Sequence, residues 1–323
     1  MSRRRILSGM RPTGPLHIGH YFGALRNWVA MQESYECFYF VADWHVLTDH
    51  QGGLGDVPRY SREMVADWIG AGLDPARCTM YVQSAIPETL ELAWILGSVA
   101  YVGDLERCPT YKDVSSKHTP PYALLGYPVL QAADIALVKG EFVPVGEDQV
   151  SHLEICREIV RRFNKTYRDV LPEMQPKLTD TPRIVGTDGQ AKMSKSLDNC
   201  VYLTDDASTV EKRVRAMYTD PKRVRADVPG TVEGNPVFIY HDLVNDNPDE
   251  VNDLKTRYRE GRVGDVEVKK KLAAAINRWL DPIRARRAQV TDAEIDSVLE
   301  AGNRRAREVA AETMAEVRAA MYS

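Results

Sequence analysis

The sequence predicts an α/β fold, a doubly wound parallel sheet followed by a C-terminal all-helical domain. Two observations support this class. Short apolar runs alternate with amphipathic helical spacing through residues 1–197, and only helical spacing follows in residues 198–323. A chain of 323 residues is long enough for two domains, because a domain typically has ~100–200 residues. We therefore predict one domain on each side of residue 198.

The first strand–helix–strand unit defines the predicted sheet. An apolar strand beginning at Ile6 enters a Gly/Pro turn, and apolar residues at helical spacing follow from residue 21 to residue 29. Residues 37–42 are an unbroken apolar run, which is typical of a strand buried on both faces. A strand, a helix and a second strand in this order predict a right-handed parallel crossover.

The alternation continues along the chain, and in such sheets ligands bind at the carboxyl ends of the strands. Residues 9–14 lack the G-x-G-x-x-G pattern, which argues against a dinucleotide cofactor. In the sheet domain the further predicted elements are a helix near 64–69, a strand at 79–82, helices at 88–102 and 127–137, a strand at 142–145 and a helix at 150–160. The helical domain has predicted helices at 208–217, 237–245, 250–259, 266–287 and 292–321.

Composition excludes several classes of protein. The net charge of −4 gives no bulk attraction to nucleic acid, so RNA binding would need a local basic patch. No apolar run reaches the ~20 residues of a membrane span, and no signal peptide is visible. The cysteines are far apart without a Cys-x-x-Cys pair, which argues against zinc and disulfides and fits a reducing cytoplasm. They are Cys37, Cys78, Cys108, Cys156 and Cys200.

The segment His17-Ile18-Gly19-His20 follows the first strand and its Gly/Pro turn. A helix beginning there would offer unpaired backbone N–H groups and a partial positive charge, which favour phosphate. His17 and His20 can donate hydrogen bonds to phosphate oxygens, and Gly19 would let a flat ligand approach the backbone. The alternative is a plain helix start with two exposed histidines.

The predicted helix at 127–137 is mostly apolar but carries Gln131 and Asp134 on one face. A carboxylate in such surroundings must be paired, must cap a helix or must await a ligand. Asp134 could also simply bond a neighbouring backbone group. The sequence therefore makes Asp134 a candidate ligand-binding residue with a structural alternative.

A polar cluster follows the predicted strand at 142–145. Gly146, Glu147, Asp148 and Gln149 lie between this strand and the next helix, and that geometry is typical of a ligand site. The alternative for Glu147 and Asp148 is that their charges complement the dipole of the helix they precede.

Residues 179–200 form a predicted mobile loop, because Gly186 and Gly189 interrupt it. A loop with two ammonium groups and two hydroxyls suits a polyphosphate that must be gripped and released, although such a loop is otherwise often solvated surface. The side chains concerned are those of Lys192, Ser194, Lys195 and Ser196.

The predicted helical domain is locally basic. Exposed charge on helices is usually solvated, so charge alone does not assign RNA binding to this domain. The basic residues are Lys269, Lys270, Lys271, Arg284, Arg286, Arg287, Arg304, Arg305 and Arg307.

The motifs His17-Ile18-Gly19-His20 and Lys192-Met193-Ser194-Lys195-Ser196 together resemble the paired signature of class I aminoacyl-tRNA synthetases. Either motif alone is weak, but both in this order are highly specific. The rest of the chain is similar to the tryptophan-specific members of the family. The matching stretches are 7–25, 43–45, 105–107, 127–137, 143–152, 186–196 and 305–310.

The resemblance implies a Rossmann-like catalytic domain at 1–197 and a helical domain at 198–323 that binds the tRNA anticodon. It implies a tryptophan–tRNA ligase that uses ATP and Mg²⁺ to form tryptophanyl-adenylate and pyrophosphate, and then charges tRNA(Trp). A cytoplasmic homodimer without a membrane partner is also implied. Some thermophile relatives hold an iron–sulfur cluster in the C-terminal domain on four cysteines. We expect none here, because no cysteine follows Cys200.

The resemblance also implies roles for individual residues. His17, His20, Lys192 and Lys195 would be catalytic, the histidines holding the phosphates and the lysines neutralising the departing pyrophosphate. The ATP-contacting positions would be Met10, Arg11, Pro12, Thr13, Gly19, His20, Gly146, Glu147, Asp148, Ile184, Lys192, Met193, Ser194, Lys195 and Ser196. The tryptophan-contacting positions would be Leu7, His45, Tyr127, Gln131, Asp134 and Gln149, with no protein-bound metal.

The resemblance favours tryptophan over tyrosine. In the tryptophan enzymes, an aspartate at the position of Asp134 accepts the indole N–H, and an indole nitrogen is a donor only. Gln131 instead resembles the tyrosine enzymes. Those enzymes, however, place a tyrosine in the first strand where this chain has Leu7, and many also carry an S4-like C-terminal domain that is absent here.

Three alternatives remain open at this point. The chain could be a tyrosine-specific synthetase, or a synthetase paralogue that binds tRNA or tryptophan without catalysis. It could also be a nucleotidyltransferase such as a pantetheine-phosphate adenylyltransferase, since those enzymes share the His-x-Gly-His helix start. Nucleotidyltransferases of that kind are much shorter and lack the Lys-Met-Ser-Lys-Ser loop.

Overall fold

A computed structural model of the chain describes residues 3–48, 52–179, 184–190, 192–221, 223 and 225–322, apart from the side chain of residue 148. The described residues form two compact units. The sheet unit comprises residues 3–14, 26–179 and 290–322, and the helical unit comprises residues 15–25 and 184–289. None of the helices among the described residues combines the length and apolar composition needed to span a bilayer.

The strands and helices are numbered in chain order. The strands are β1 (Arg5–Met10), β2 (Glu36–Val41), β3 (Cys78–Val82), β4 (Phe142–Val145) and β5 (Gln175–Leu178). The helices are α1 (Ile18–His20), α2 (Arg26–Met31), α3 (Val57–Ala71), α4 (Glu88–Gly97), α5 (Val102–Leu105), α6 (Pro109–Ser115), α7 (Tyr122–Leu137), α8 (Val150–Thr166), α9 (Ala207–Ala216), α10 (Pro236–Val244), α11 (Pro248–Arg259), α12 (Asp265–Arg287) and α13 (Asp292–Met321).

The sheet unit contains a five-stranded sheet of order β3-β2-β1-β4-β5 in which every pair is parallel. Strands β2 and β3 are added on one side of β1, and β4 and β5 are added on the other. The order of the strands therefore reverses between β1 and β4, and the carboxyl ends of these two strands form a ligand-binding crevice. The middle residues of β1 and β2 are buried, as at Ile6 and Phe38. The predicted doubly wound, Rossmann-like parallel sheet is confirmed.

Strand β5 is absent from the sequence prediction. Its residues include Pro176 and Lys177, which lack the apolar pattern of a buried strand. The strand pairs only with β4 and lies at the edge of the sheet, where proline and charged residues are tolerated. The helix predicted at 88–102 is also shorter in the structure, because α4 ends at Gly97 and α5 begins at Val102.

The last helix, α13, packs within the sheet unit rather than among the other C-terminal helices. A Cβ at Gly302 would lie 1.7 Å from the carbonyl oxygen of Met80, so only glycine lets the helix come this close to β3. The Asn303 side chain accepts a hydrogen bond of 3.0 Å from the Val82 N–H. The division of the structure therefore differs from the predicted boundary at 197/198, because the apolar face of α13 is buried against the sheet.

The helical unit joins residues 15–25 to the segment that follows the Lys-Met-Ser-Lys-Ser motif. The Ile18 N–H donates to the Val201 carbonyl at 2.9 Å, and the Leu203 N–H donates to the Leu16 carbonyl at 2.9 Å. These backbone bonds hold the histidine motif beside residues 201–203. After α1 the chain makes one wide, π-type helical turn at Tyr21–Leu25.

The basic residues of the predicted helical domain are distributed over both units of the structure. Lys269 is buried, and its ammonium group donates to the carbonyl oxygen of Met217 at 2.6 Å and to the Thr219 hydroxyl at 2.7 Å. Lys271 forms an ion pair with Glu250 at 2.5 Å. The arginines at 304, 305 and 307 lie on α13 and therefore in the sheet unit.

Candidate active site

A cavity of about 390 Å³ opens at the carboxyl edge of the sheet, within the sheet unit. Its walls combine apolar side chains with a comparable number of polar ones, and Asp134 is the one acidic residue among the described residues that line it. All six residues predicted to contact tryptophan line this cavity, together with Arg11 from the predicted ATP-contacting set. These six residues are Leu7, His45, Tyr127, Gln131, Asp134 and Gln149.

Asp134 lies on α7 and is only 3% exposed. Its Oδ2 is 2.8 Å from the His45 Nε2, and the Gln83 amide nitrogen donates to Oδ1 at 2.8 Å and to Oδ2 at 3.0 Å. Burial raises the pKa of the Asp134 carboxyl, while the hydrogen bonds from His45 and Gln83 oppose that rise. Asp134 is therefore both a partnered carboxylate and a wall of the cavity.

Gln83 is a site residue that the sequence analysis missed. It is completely buried and begins a short 3₁₀ turn directly after β3. The rule that applied to residues 146–149, a polar side chain at the carboxyl end of a parallel strand, could have identified it. Gln83 is not among the residues that line the cavity, but its amide nitrogen bonds Asp134, which is.

A second polar group surrounds Tyr127 in the cavity wall. The Tyr127 hydroxyl is 3.0 Å from the Cys108 sulfur, and the Thr110 hydroxyl is 3.1 Å from the His152 Nε2. Burial of Cys108 favours the neutral thiol, but hydrogen bonds from His152 and Tyr127 outweigh it and lower the pKa of Cys108. Cys108 and Thr110 lie at the start of α6, a helix that the apolar pattern did not predict.

The two backbone segments predicted to contact ATP from the sheet unit follow β1 and β4. Residues after β1 form a tight turn, in which the Thr13 N–H donates to the Arg11 carbonyl at 2.9 Å. Residues Glu147–Gln149 form a 3₁₀ turn directly after β4. The predicted contact through Asp148 lies outside the described side chains. Met10 is the last residue of β1, and Pro12 is buried beside it.

The histidine motif lies in the helical unit. The His17 ring is 7% exposed, and the rings of His17 and His20 lie 3.7 Å apart between centroids. The His20 Nδ1 accepts the backbone N–H of His17 at 3.1 Å, so a neutral His20 carries its proton on Nε2. The His17 Nδ1 has no hydrogen-bond partner among the described residues.

Both imidazoles are held in the neutral form. Burial, followed by the positive charges of Lys195 and Lys192, lowers the pKa of His17 to about 4. Burial, His17 and the same two lysines lower the pKa of His20 well below its ordinary value. The structure therefore places the predicted catalytic histidines within the electrostatic reach of the predicted catalytic lysines.

Gly19 is required for a reason that differs from the one expected. A Cβ on residue 19 would lie 2.8 Å from the His17 Nδ1 and 3.4 Å from the Met193 sulfur. The group that approaches this backbone in the structure is therefore the His17 ring. Met193 and Ile184 are themselves buried, so any contact they make with a ligand would be through backbone atoms.

The Lys-Met-Ser-Lys-Ser segment is held by Asn199, which the sequence analysis did not identify. Its buried side chain accepts the Ser194 N–H at 2.7 Å and donates to the Asp188 carboxylate at 3.1 Å. A Cβ on Gly186 would lie 2.0 Å from the Asn199 amide nitrogen. Gly186 is thus explained by close packing, whereas the sequence analysis attributed it to loop mobility.

The parallel sheet, the paired histidines and the lysine segment beside them define a class I aminoacyl-tRNA synthetase. A family model described as tRNA synthetases class I (W and Y) matches residues 2–281. The chain belongs to this family, and within it to the tryptophan–tRNA ligases.

Individual relatives cover almost the whole chain. It is 51% identical to a tryptophan–tRNA ligase of Treponema pallidum, over 98% of this chain and 96% of the relative. It is 45% identical to one of Thermotoga maritima, over 98% of each. Its structure is similar to that of a Campylobacter jejuni tryptophanyl-tRNA synthetase complexed with ADP and tryptophan, with a TM-score of 0.86, 32% identity and coverage of 97% and 98%. The predicted family and enzyme class are confirmed.

Proposed function

We propose that the cavity of the sheet unit binds L-tryptophan, which the enzyme activates with ATP and then transfers to the 3′ end of tRNA(Trp). The observation that carries this proposal is Asp134, a buried carboxylate and the one acidic side chain among the described residues that line the cavity. An indole presents a flat apolar ring with one N–H donor, and a carboxylate is an acceptor that matches it. Asp134 then reads the indole N–H.

The cavity wall favours tryptophan over tyrosine. Leu7 lines the cavity from β1, beside Ser8 and Gly9, and its side chain cannot bond a phenolic hydroxyl. A phenol oxygen also needs a donor for its lone pairs, and leaving it unpaired in a buried site is costly. Gln131 lines the same cavity, and we assign it with Tyr127 and Gln149 to the amino-acid end of the substrate rather than to the ring.

We assign the phosphates of ATP to the helical unit. Neutral His17 and His20 act as hydrogen-bond donors, and Lys192 and Lys195 supply the positive charge that stabilises the pentacoordinate phosphate and the leaving pyrophosphate. The division of labour follows from the pKa values, because imidazoles kept neutral by neighbouring lysines cannot themselves neutralise a polyanion. No covalent enzyme intermediate is required.

Mg²⁺ is proposed to arrive as the ATP–Mg complex. Among the described residues, no cluster of three or more histidine, cysteine or acidic side chains could hold a metal ion. Mg²⁺ is commonly bound through substrate phosphates with few protein carboxylates. We therefore treat it as part of the substrate, and the roles assigned to the residues above do not depend on it.

Amino-acid-dependent ATP–pyrophosphate exchange tests the proposed reaction. We expect tryptophan alone among the twenty amino acids to stimulate exchange strongly. Stimulation by tyrosine at comparable concentration would overturn the assigned specificity. Tryptophan binding without any exchange would identify a non-catalytic paralogue instead.

We propose that tRNA binds with its anticodon at the helical unit. Lys270 and Arg286, on α12, are exposed basic residues of this unit, whereas Lys269 is buried and serves the fold. A Lys270→Glu, Arg286→Glu variant should raise the KM for tRNA in aminoacylation and leave pyrophosphate exchange unchanged. An unchanged KM for tRNA would argue against anticodon binding through Lys270 and Arg286.

We propose that the enzyme is a homodimer that pairs through an exposed apolar surface of the sheet unit. Trp94 on α4 is 81% exposed, Tyr122 at the start of α7 is 78% exposed, and Tyr101 and Val102 near α5 are also exposed. Exposed apolar groups on adjoining helices typically mark protein contacts. Light scattering should give a dimer for the wild type and a monomer for Trp94→Glu, Tyr122→Glu. A wild-type monomer would contradict the proposal.

We propose that the enzyme acts in the cytoplasm, where tRNA is charged. The five cysteines are free and buried, which suits a reducing compartment. Fractionation of the source cells, followed by detection of the protein with an antibody, tests this directly.

A further inference from the structure

The Gln83 side chain is fixed at both ends of its amide. Its oxygen accepts the backbone N–H of Trp44 at 3.1 Å, and its nitrogen is 2.8 and 3.0 Å from the two oxygens of Asp134. A backbone N–H can only donate, so the amide oxygen must face Trp44. The NH₂ group must then face Asp134 as a donor.

The bonds to Asp134 leave its two oxygens unequal. Oδ2 is bonded to both the Gln83 nitrogen and the His45 Nε2, whereas Oδ1 is bonded to the Gln83 nitrogen alone. An ionised carboxylate offers about four acceptor positions, two on each oxygen. Oδ1 therefore has one acceptor position still open, whereas both acceptor positions of Oδ2 are occupied.

The anchor of Gln83 is itself held in place. Asp43, which follows β2, accepts the Trp44 N–H at 3.2 Å and the Ser84 N–H at 3.0 Å. These bonds join the loop after β2 to the turn after β3. Gln83 thus reaches Asp134 from a frame whose polar groups are paired before any substrate arrives, which is how a preorganised site is built.

We propose that Gln83 is a positioning residue that orients the Asp134 carboxylate, so that Oδ1, the oxygen that His45 does not bond, accepts the substrate's indole N–H. This inference rests on the proposed binding of tryptophan in the cavity. Other side chains cannot replace the amide. Glutamate would place a second carboxyl group against Asp134, so that the two would compete for one proton. Methionine has neither donor nor acceptor of comparable strength, and asparagine is one methylene shorter.

The test compares tryptophan with 3-(1-benzothiophen-3-yl)alanine, which has the same shape but no ring N–H. The readout is the ratio of kcat/KM values in pyrophosphate exchange. The wild type should prefer tryptophan by about a hundredfold or more, because a site built to bond an N–H rejects a substrate that lacks it. Gln83→Met should reduce that preference about 10- to 100-fold, chiefly through the KM for tryptophan, as expected when a bond to a charged acceptor is lost.

A merely structural role would raise the KM for both amino acids and leave the ratio unchanged. Gln83→Leu also removes the amide donor and fills the site with an apolar side chain of different shape, so it tests the missing donor even where the methionine variant does not fold. Gln32→Met is the matched control. Gln32 is a buried glutamine of the same unit whose amide bonds Gly72 and the Asp74 N–H, and its loss should lower stability without changing the ratio.

Asp134→Ala, which has no side-chain acceptor, is measured in parallel and separates this inference from the proposed function. If Asp134→Ala leaves the preference intact, tryptophan is not read by Asp134 and the proposed specificity fails. If Asp134→Ala removes the preference while both Gln83 variants retain it, the proposed function stands and the role of Gln83 is overturned.

Discussion

Asp134 in the sheet unit and His17 in the helical unit are both buried ionisable residues, but their surroundings are opposite. Asp134 has hydrogen bonds from His45 and Gln83 to its two oxygens. His17 has an unpartnered Nδ1 and lies within the field of Lys192 and Lys195. The hydrogen bonds to Asp134 fix the direction of one acceptor. The surroundings of His17 instead place an unpartnered ring nitrogen in the positive field of two lysines.

The difference matches what each ligand demands. A single N–H must be recognised by an acceptor whose position is already fixed, because specificity depends on the cost of leaving a buried polar group unpaired. A triphosphate carries several charges that move during the reaction, so donors left unbonded in the free enzyme are available to it. The predictions below are ordered by the size of the effect expected.

The largest effect is expected on the paired side, for Asp134→Ala. This change removes the acceptor proposed for the indole N–H and leaves the donors of His45 and Gln83 without one, and unpaired buried polar groups of this kind change kcat/KM by up to about 10⁴–10⁵. We expect kcat/KM for tryptophan in pyrophosphate exchange to fall about a thousandfold, which corresponds to ~4 kcal/mol in the transition state. Asp67→Asn, at another buried aspartate of the same unit, is the control. A small loss for Asp134→Ala would mean that the acceptor is not used.

On the charged side, Lys195→Ala should lower kcat for exchange about 100- to 1,000-fold, the usual loss when one transition-state donor is removed. The KM for tryptophan should change little, because the lysine acts on phosphate. Stopped-flow or exchange kinetics measure both values. The exposed Lys212→Ala, in the same unit, should behave as wild type. An unchanged kcat for Lys195→Ala would remove the role assigned to the segment.

The neutral His17 should make the fold sensitive to acid. Its pKa is about 4 in the folded chain and 6.5 without the fold, so below pH 6.5 the unfolded state binds the proton more readily. Stability should therefore fall as the pH drops from 6.5 to about 4, by about 3 kcal/mol from this residue, and no further below that. Urea unfolding across pH should show a smaller loss for His17→Gln, whereas the exposed His118→Gln should follow the wild type.

The smallest effect is expected from crowding the histidine pair. In Gly19→Ala the new methyl group would meet the His17 ring at 2.8–2.9 Å and displace it, so we expect exchange to slow about tenfold, the consequence of ~1.4 kcal/mol in the transition state. Gly23→Ala has no atom within 4 Å of its Cβ and provides the control in the same segment. Equal rates for the two variants would show that the ring position is not critical.

Local patterns were sufficient for most of the fold. Strand β4 and helix α13 occur at the predicted residues, α12 begins one residue earlier than predicted, and β2 begins and ends one residue earlier. Such elements are read correctly because apolar spacing directly reflects burial. The failures, β5 and α6, are short elements whose residues carry no such spacing, since an edge strand and a helix without buried residues have little apolar face to reveal.

For this protein, the sequence by itself determined the parallel α/β sheet, the helical segments and the two motifs of the synthetase family, because each is encoded by residues close together in the chain. Only the tertiary structure brought Gln83, His45 and Asp134 into one network and placed α13 against β3. It also showed that residue 186 is a glycine because the Asn199 side chain packs against it, and not because the loop must be mobile. The physical reason is that these contacts join residues distant in sequence, and hydrogen bonds between distant side chains leave no periodic trace in the sequence.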